Sequence, residues 1–263
     1  MAKVKADLHN HLRTSGSCND NYFNRTIDAA AERLGSGAII GLTNFSENRY
    51  EEFAGLKGYE RISVGENGNG IYIPEKDVLV VKAQEVSTKQ GHILVIGLGK
   101  DVRLKKNRDL ADTIKEATCK EGVIVAAHPF HLYGTGKYLE KNPQLLKSID
   151  AIEVHNGEAG LDLFFSGANR KAQEFYEKMK KDYPNLGALA ASDGHSIYEL
   201  GSSWTEIDAP EMNKENFSNS LWYSIRRTDA NTPKQKKDSI IGAIDHSADL
   251  ILLAMRDLRL GRR

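Results

Sequence analysis

The sequence predicts an α/β fold built on a largely parallel sheet, and three observations predict it. Short runs rich in Val, Ile and Leu alternate with stretches of helical periodicity over most of the chain. Residues able to bind metals or move protons fall at or just after the ends of the apolar runs. The 263 residues, 40% hydrophobic and 27% charged, are enough for one large domain with a single core. The alternation by itself is satisfied either by a closed barrel or by an open doubly wound sheet.

The elements follow in order. Residues 4–8 read as a strand that runs straight into His9-Asn10-His11. Ile27, Ala30, Ala31 and Leu34 have helical spacing over 26–34, and Gly35 supplies the left-handed residue on which helices commonly end. Residues 38–43 form the next strand. The glycine-rich stretch 65–70 lacks the Gly-Lys-Ser/Thr ending of a phosphate-binding loop and no helix follows it, so it reads as a loop or hairpin insertion. Runs 78–86 and 93–98 are buried strands, and the short polar link between them marks an antiparallel interruption.

Alternation then resumes. Residues 109–121 are helical and close on Gly122, 123–127 are a strand, and 139–149 are weakly helical around Pro143. A strand at 151–155 precedes an amphipathic helix at 168–182. A short strand at 187–191 leads into Ser192-Asp193-Gly194-His195. After Ile207 the alternation stops, and 215–226 and 238–258 read as two helices joined near Thr232-Pro233. The last carries Ile240, Ile241, Ile244, Ala248, Ile251, Leu252 and Met255 on one stripe and is expected to pack on the core. The expected division is a barrel domain at 1–207 bearing the site and a helical extension at 208–263 packed on it.

Composition excludes several classes. Lys+Arg and Asp+Glu both number 36, so there is no basic excess of the kind that generic nucleic-acid binding requires. Two distant cysteines, Cys18 and Cys119, exclude a disulfide scaffold and a thiolate zinc site and suit a reducing compartment. The first residues do not read as a signal peptide, and no apolar run approaches the ~20 residues of a membrane span. The expectation is a cytoplasmic protein with no membrane partner; the sequence does not set its oligomeric state.

The placement of histidines and acids points to metal chemistry. His9 and His11 follow the first strand, Glu85 ends the third, and His128 follows the run 123–127. Glu153, His155 and Asn156 end the 151 strand, and Asp193 and His195 follow the last. Chemistry in α/β proteins gathers at the carboxyl ends of parallel strands. One histidine there means little; a metal-type set at four or five successive strand ends is hard to obtain otherwise. Alternate residues of an extended segment point the same way, so His9-x-His11 can offer two imidazoles to one ion. Imidazole and carboxylate donors suit Zn, Mn or Fe(II), and a carboxylate such as Glu85 can bridge two ions. Glu153 reads as a supporting residue, and His131 and His246 read as ordinary loop and helix residues.

These segments resemble the polymerase and histidinol phosphatase (PHP) superfamily of metal-dependent phosphoesterases. Asp7-Leu8-His9-Asn10-His11 with Ser15 is similar to its first motif. Ala83-Gln84-Glu85-Val86-Ser87 and Gly91-His92-Ile93-Leu94 match the segment with a bridging glutamate. Ala127-His128-Pro129 and Ser192-Asp193-Gly194-His195 match the third and fourth motifs. The resemblance implies a distorted (β/α)7 TIM-like barrel. It also implies one metal on His9, His11, Glu85 and Asp193, a second on Glu85, His92 and His128, and a place for His195 at a third site in trinuclear members.

The chain departs from the pattern where the second motif normally reads Thr-Asp-His. Here Thr43 is followed by Asn44 and Phe45, and Ser17 stands near where another histidine is usual. The expectation is therefore a two-metal centre, or else a single tightly held ion. The implied reaction is hydrolysis of a small phosphomonoester or nucleotide by a metal-activated hydroxide, with His195, or else His155, protonating the leaving oxygen and Arg13 gripping phosphate. The same ligands would serve carbon–nitrogen hydrolysis, and a partly degenerate site would leave a scaffold. A nuclease ranks lower on the neutral charge. Specificity is expected in loops 45–70, 130–141 and 157–169.

Overall fold

In the computed structural model, residues 2–12, 18–45, 47–157 and 167–229 are described, together with the backbone of 233–235. Arg13, Ser15, Ser17 and the expected helix at 238–258 lie outside the described residues. In chain order the elements are β1 Lys3–Asn10, α1 Asp20–Leu34, β2 Ala38–Asn44, α2 Arg49–Gly55, β3 Ile62–Val64 and β4 Gly70–Ile73. Next come β5 Val78–Thr88, β6 Gly91–Ile96, α3 Leu110–Cys119, β7 Val123–Ala126, α4 Gly136–Lys141 and a 3-10 turn at Pro143–Ser148. β8 Ala151–Asn156, α5 Ala168–Lys180, β9 Gly187–Ala191, β10 Ser203–Asp208, α6 Phe217–Arg226 and β11 Pro233–Gln235 complete the set.

The sheet forms a nearly closed barrel wall in the order β1-β2-β5-β6-β7-β8-β9. Pairing is parallel except at β6, which runs antiparallel to both β5 and β7. The expected antiparallel interruption is therefore present, and the glycine-rich insertion is the β3–β4 hairpin. β10, not anticipated as a strand, pairs antiparallel with β1. Its alternating buried and half-exposed pattern, Ser203 to Asp208, is that of a strand with only one covered face. At the carboxyl rim, the N–H groups of His11 and Leu12 both donate to the Gly194 carbonyl (2.8 and 2.9 Å), tying the end of β1 to the turn after β9.

Local chemistry sets the helix limits. α1 starts six residues before the apolar periodicity does, because the Asn19 side chain accepts from the Tyr22 N–H (2.9 Å) and caps it. Its C-terminal Gly35 has φ 88°, as expected. Ala6, Leu8, Leu79, Val81, Leu94, Val125, Ala151 and Leu189 fill the barrel interior, with Phe217, Leu221 and Ile225 of α6 in the same apolar cluster. α6 meets the amino ends of the strands: the Ile225 carbonyl crowds Gly187, and Trp222 Nε1 donates to Asp150 beside the start of β8. One end of the barrel is thus sealed by packing, leaving the carboxyl end for polar groups. Among the described residues no helix is long and apolar enough to cross a membrane.

Candidate metal centre

Two β-bulges aim the polar side chains. Leu8 packs into the barrel interior, so strict alternation would turn His9 outward. The β1–β2 register shifts between Asp7 and Asn10, and His9 within the shift and His11 beyond it both reach interior acids. The bulged chain lies so close to β2 that a Cβ on Gly41 would fall 2.0 Å from the Leu8 carbonyl oxygen. In β8 the register shifts between Glu153 and His155. Asn156 consequently joins Glu153 on the inner face, while His155 turns to α5, where Asn169 Nδ2 donates to its Nδ1 (3.3 Å).

The first donor set comprises His9, His11, Asp193 and Glu85, all buried. His9 Nε2 lies 3.2 Å from both His11 Nε2 and Asp193 Oδ1. His11 Nε2 lies 3.4 Å from Asp193 Oδ1 and 3.2 Å from Glu85 Oε2. Nitrogen and oxygen ligands about 2.0–2.1 Å from one tetrahedral ion stand roughly 3.3 Å from each other, so these separations fit a first-row cation. The tautomer of His9 supports the fit. Its Nδ1 donates to Glu153 Oε1 (3.1 Å), which leaves the Nε2 lone pair facing an acceptor, Asp193 Oδ1. A lone pair directed at a carboxylate needs a cation between them, either a proton or a metal.

Glu85 joins this set to a second. Its other oxygen, Oε1, is 2.7 Å from His92 Nδ1 and 3.0 Å from His128 Nε2. His92 reaches this place because β6 is reversed: its first residues pair with the last of β5, Ser87 opposite His92, at the same rim as every other strand end. A third group, His11, Asp193 and His195, also lies within common reach of one ion. His195 Nδ1 donates to the Asp193 carbonyl (2.9 Å), so Nε2 is its basic nitrogen, and its ring stacks on His11 at 4.9 Å. Asp193 and His128 both have positive φ, 54° and 27°, conformations that cost energy in ordinary residues and concentrate at functional sites.

The surrounding network fixes these side chains. Glu153, 1% exposed, takes the His9 ring, the His128 N–H (2.6 Å) and Asn156 Nδ2 (3.0 Å); Asn156 Nδ2 also reaches Asp193 Oδ2 (3.0 Å). Asp7 accepts from the Ser192 and Gly201 N–H groups, and Asn10 accepts from the Ser192 hydroxyl, so the first and last motifs are stitched together. Burial lifts the Asp7 carboxyl to about 6 against the opposing pull of those N–H groups.

The departure at the second motif has a structural content. Asn44 points away from the donors: its Oδ1 accepts from Tyr50 N–H at the start of α2 (3.0 Å), and its Nδ2 donates to Glu51 (2.7 Å). Phe45 lies between the rings of His11 (5.9 Å) and His92 (5.7 Å). His131 lies edge-on to His128, and the exposed Tyr133 stacks on His92 at 5.3 Å.

The electrostatics are those of acids holding cations. Burial alone would lower the imidazole values, but hydrogen bonds to Asp193 and Glu85 raise His11 to about 10, and Glu85 raises His128 to about 10. His9 is raised as well, Asp193 and Glu153 outweighing burial. Despite burial, which opposes it, the three imidazoles around Glu85 hold that carboxyl well below its usual range; Asp193 is likewise lowered by the imidazoles of His9, His11 and His128. Such a set retains positive charge strongly, whether protons or metal ions carry it.

The comparisons agree with this architecture. The PHP-associated family model matches residues 166–221. The structure of PsfC from Pseudomonas syringae PB-5123 is similar over 98% of both chains, with TM-score 0.62 and 15% identity. The lesion-specific endonuclease PfuEndoQ from Pyrococcus furiosus is similar over 89% of this chain and 58% of that one, with TM-score 0.57 and 16% identity. Endonuclease Q in complex with a 27-mer duplex bearing an abasic lesion at the active site gives TM-score 0.54 at 16% identity and the same coverage. The chain thus spans little more than half of the endonuclease, and at these identities the likeness is one of fold. No curated protein sequence matches significantly. The PHP-associated match over residues 166–221, the ordered motifs and the barrel that carries them make this chain similar to the PHP superfamily.

Proposed function

We propose that this protein is a metal-dependent phosphoesterase acting on a small phosphomonoester or a nucleotide, with a two-metal centre. The observation that carries the reading is the position of Glu85, one oxygen against His11 and the other against His92 and His128. His9, His11, Glu85 and Asp193 are the proposed ligands of one divalent ion, and Glu85, His92 and His128 those of the other. Bound divalent ions, Zn, Mn or Fe, acidify water and polarise phosphoryl oxygens. Glu153 keeps the His9 lone pair directed inward, and Asn156 holds Asp193 in place. His195 protonates the leaving oxygen from Nε2, since its Nδ1–H is engaged by the Asp193 carbonyl. Arg13, outside the described residues, remains the sequence-based candidate for gripping phosphate. His155, directed at α5 and not a member of any of the three donor groups, is the weaker proton donor.

A second reading is cleavage of damaged DNA, favoured by the fold shared with an endonuclease whose complex holds an abasic duplex. The zero formal charge of this chain argues against it. The test is metal quantification, followed by turnover assays with Mn, Zn and Fe(II) supplied in turn. Small phosphomonoesters, nucleotides, an abasic duplex and amide substrates are compared, scoring released phosphate against amine. Glu85→Ala is expected to lose bound metal and turnover together; full metal content with normal turnover in that variant overturns the proposal.

A further inference from the structure

Phe45 carries a charge to the edge of the donor cluster. Lys106, in the loop between β6 and α3, places its Nζ 4.2 Å from the centre of the Phe45 ring, whose own neighbours are the rings of His11 and His92. Two of the buried or half-buried lysines are ion-paired, Lys82 with Glu51 (2.6 Å) and Lys76 with Asp28 (2.6 Å). Among the described residues no carboxylate lies within ion-pair distance of Lys106, although it is half-buried. Arg103 holds the same loop down, donating to the Phe45 carbonyl (3.0 Å) and to the Asn48 side chain. Burial and the nearby Arg103 push the Lys106 ammonium below its ordinary value, while Glu47 and Glu85 pull it back up. A partly desolvated ammonium resting on an aromatic face is stabilised by the ring quadrupole but keeps its N–H donors for another acceptor.

We propose that Lys106 binds a phosphoryl oxygen of the substrate at the rim of the metal centre, with Phe45 as the platform that positions it. This rests on the phosphoester reading above. The charge balance favours it. Glu85, Asp193 and Glu153 already offset most of the charge that two divalent ions bring, so a phosphate dianion there calls for a further cation. Lysine meets phosphate as a compact point charge. The sequence reading assigned phosphate to Arg13 alone and passed over Lys106, since nothing in the run Lys105-Lys106-Asn107 distinguishes it from a solvated charge.

The test is calorimetric titration of inorganic phosphate into the Mn-loaded full chain, comparing wild type with K106M, K106R and F45A, with metal content measured on each. K106M is expected to bind phosphate about tenfold or more weakly, the loss of one charge-assisted hydrogen bond, with unchanged metal content. K106R should retain most of the affinity, and F45A should fall between. Phosphate bound equally by wild type and K106M overturns the assignment while leaving the phosphoesterase reading standing. Metal loss in K106M that matches its loss of phosphate overturns it too, because Lys106 would then support the centre and not the substrate. Absence of phosphate binding in loaded wild type, with no phosphate released from any ester, overturns both.

Discussion

Replacing Glu153 by glutamine tests the logic of the centre at one atom. Glu153 Oε2 accepts two donors, the His128 N–H at 2.6 Å and Asn156 Nδ2 at 3.0 Å, whereas Oε1 faces only His9 Nδ1 at 3.1 Å. A glutamine there keeps its carbonyl oxygen where two donors converge, so its NH2 must face His9. Two donors cannot share that contact, and the imidazole responds by moving its proton from Nδ1 to Nε2. The nitrogen that faces His11 and Asp193 then has no lone pair to offer. The cost is that of switching a tautomer against a buried partner, and supporting residues of this type typically contribute about 10–100-fold to metal affinity, or roughly 1.4–2.7 kcal/mol. Competition with a chelator of known affinity measures the loss, and nitrogen NMR of the imidazoles reads the tautomer directly. The expected result is one weakened ion, a shifted His9 tautomer and an unchanged thermal midpoint in the metal-free protein within about 1 kcal/mol. Unaltered affinity for both ions, with the tautomer switched, would refute the placement of His9 as a ligand.

Metal loading is expected to release protons. His11 and His128, raised to about 10, are protonated at neutral pH in the metal-free protein, so an ion must displace roughly two protons. Calorimetry in buffers of differing ionisation enthalpy reads this directly, and heats independent of buffer would contradict it. The same groups contribute stability to the metal-free fold that is fully present below their unfolded value near 6.5 and is lost as pH rises through about 10. His195→Asn is expected to lower kcat by roughly 10²–10⁴-fold while metal content stays constant, and to remove the alkaline fall in rate that a general acid imposes. Loss of an ion in that variant would instead make His195 a ligand, together with His11 and Asp193.

Much of the fold is legible because strand order and apolar periodicity are local properties. The 78–86 and 93–98 runs, joined by a short polar link, announce the antiparallel step. That step in turn explains His92, which in sequence opens a strand and yet lies at the rim where the other strands close. What is not legible is anything set by register. Simple alternation along β8 cannot tell whether His155 or Asn156 faces inward, and the sequence favours the histidine because histidine has the chemistry. The bulge after Glu153 reverses that choice. The bulge in β1 works in the same way, and its one trace in the sequence is Gly41 on the neighbouring strand, where any side chain would strike the Leu8 backbone. β10 was missed because a short strand with one exposed face carries too few apolar residues to stand out.

The Asn44-Phe45 pair reads differently once its contacts are known. On sequence alone it is a loss, two residues that cannot take the place of an acid and a histidine. In the structure Asn44 holds the start of α2 and binds Glu51, which itself neutralises the buried Lys82, so Asn44 is committed to a contact that ties β2 through α2 to β5. Phe45 fills the space between the imidazoles of His11 and His92 and presents its outer face to Lys106. A site in decay would leave a cavity or an unpaired charge at such a position, because nothing would select for packing there. Instead the ring is packed on one side and carries a cation on the other. An apolar residue flanked by a cation therefore stands where the second motif normally carries metal-binding side chains, and on the proposed reading this alters what the site grips while the donor groups of the two proposed ions stay in place.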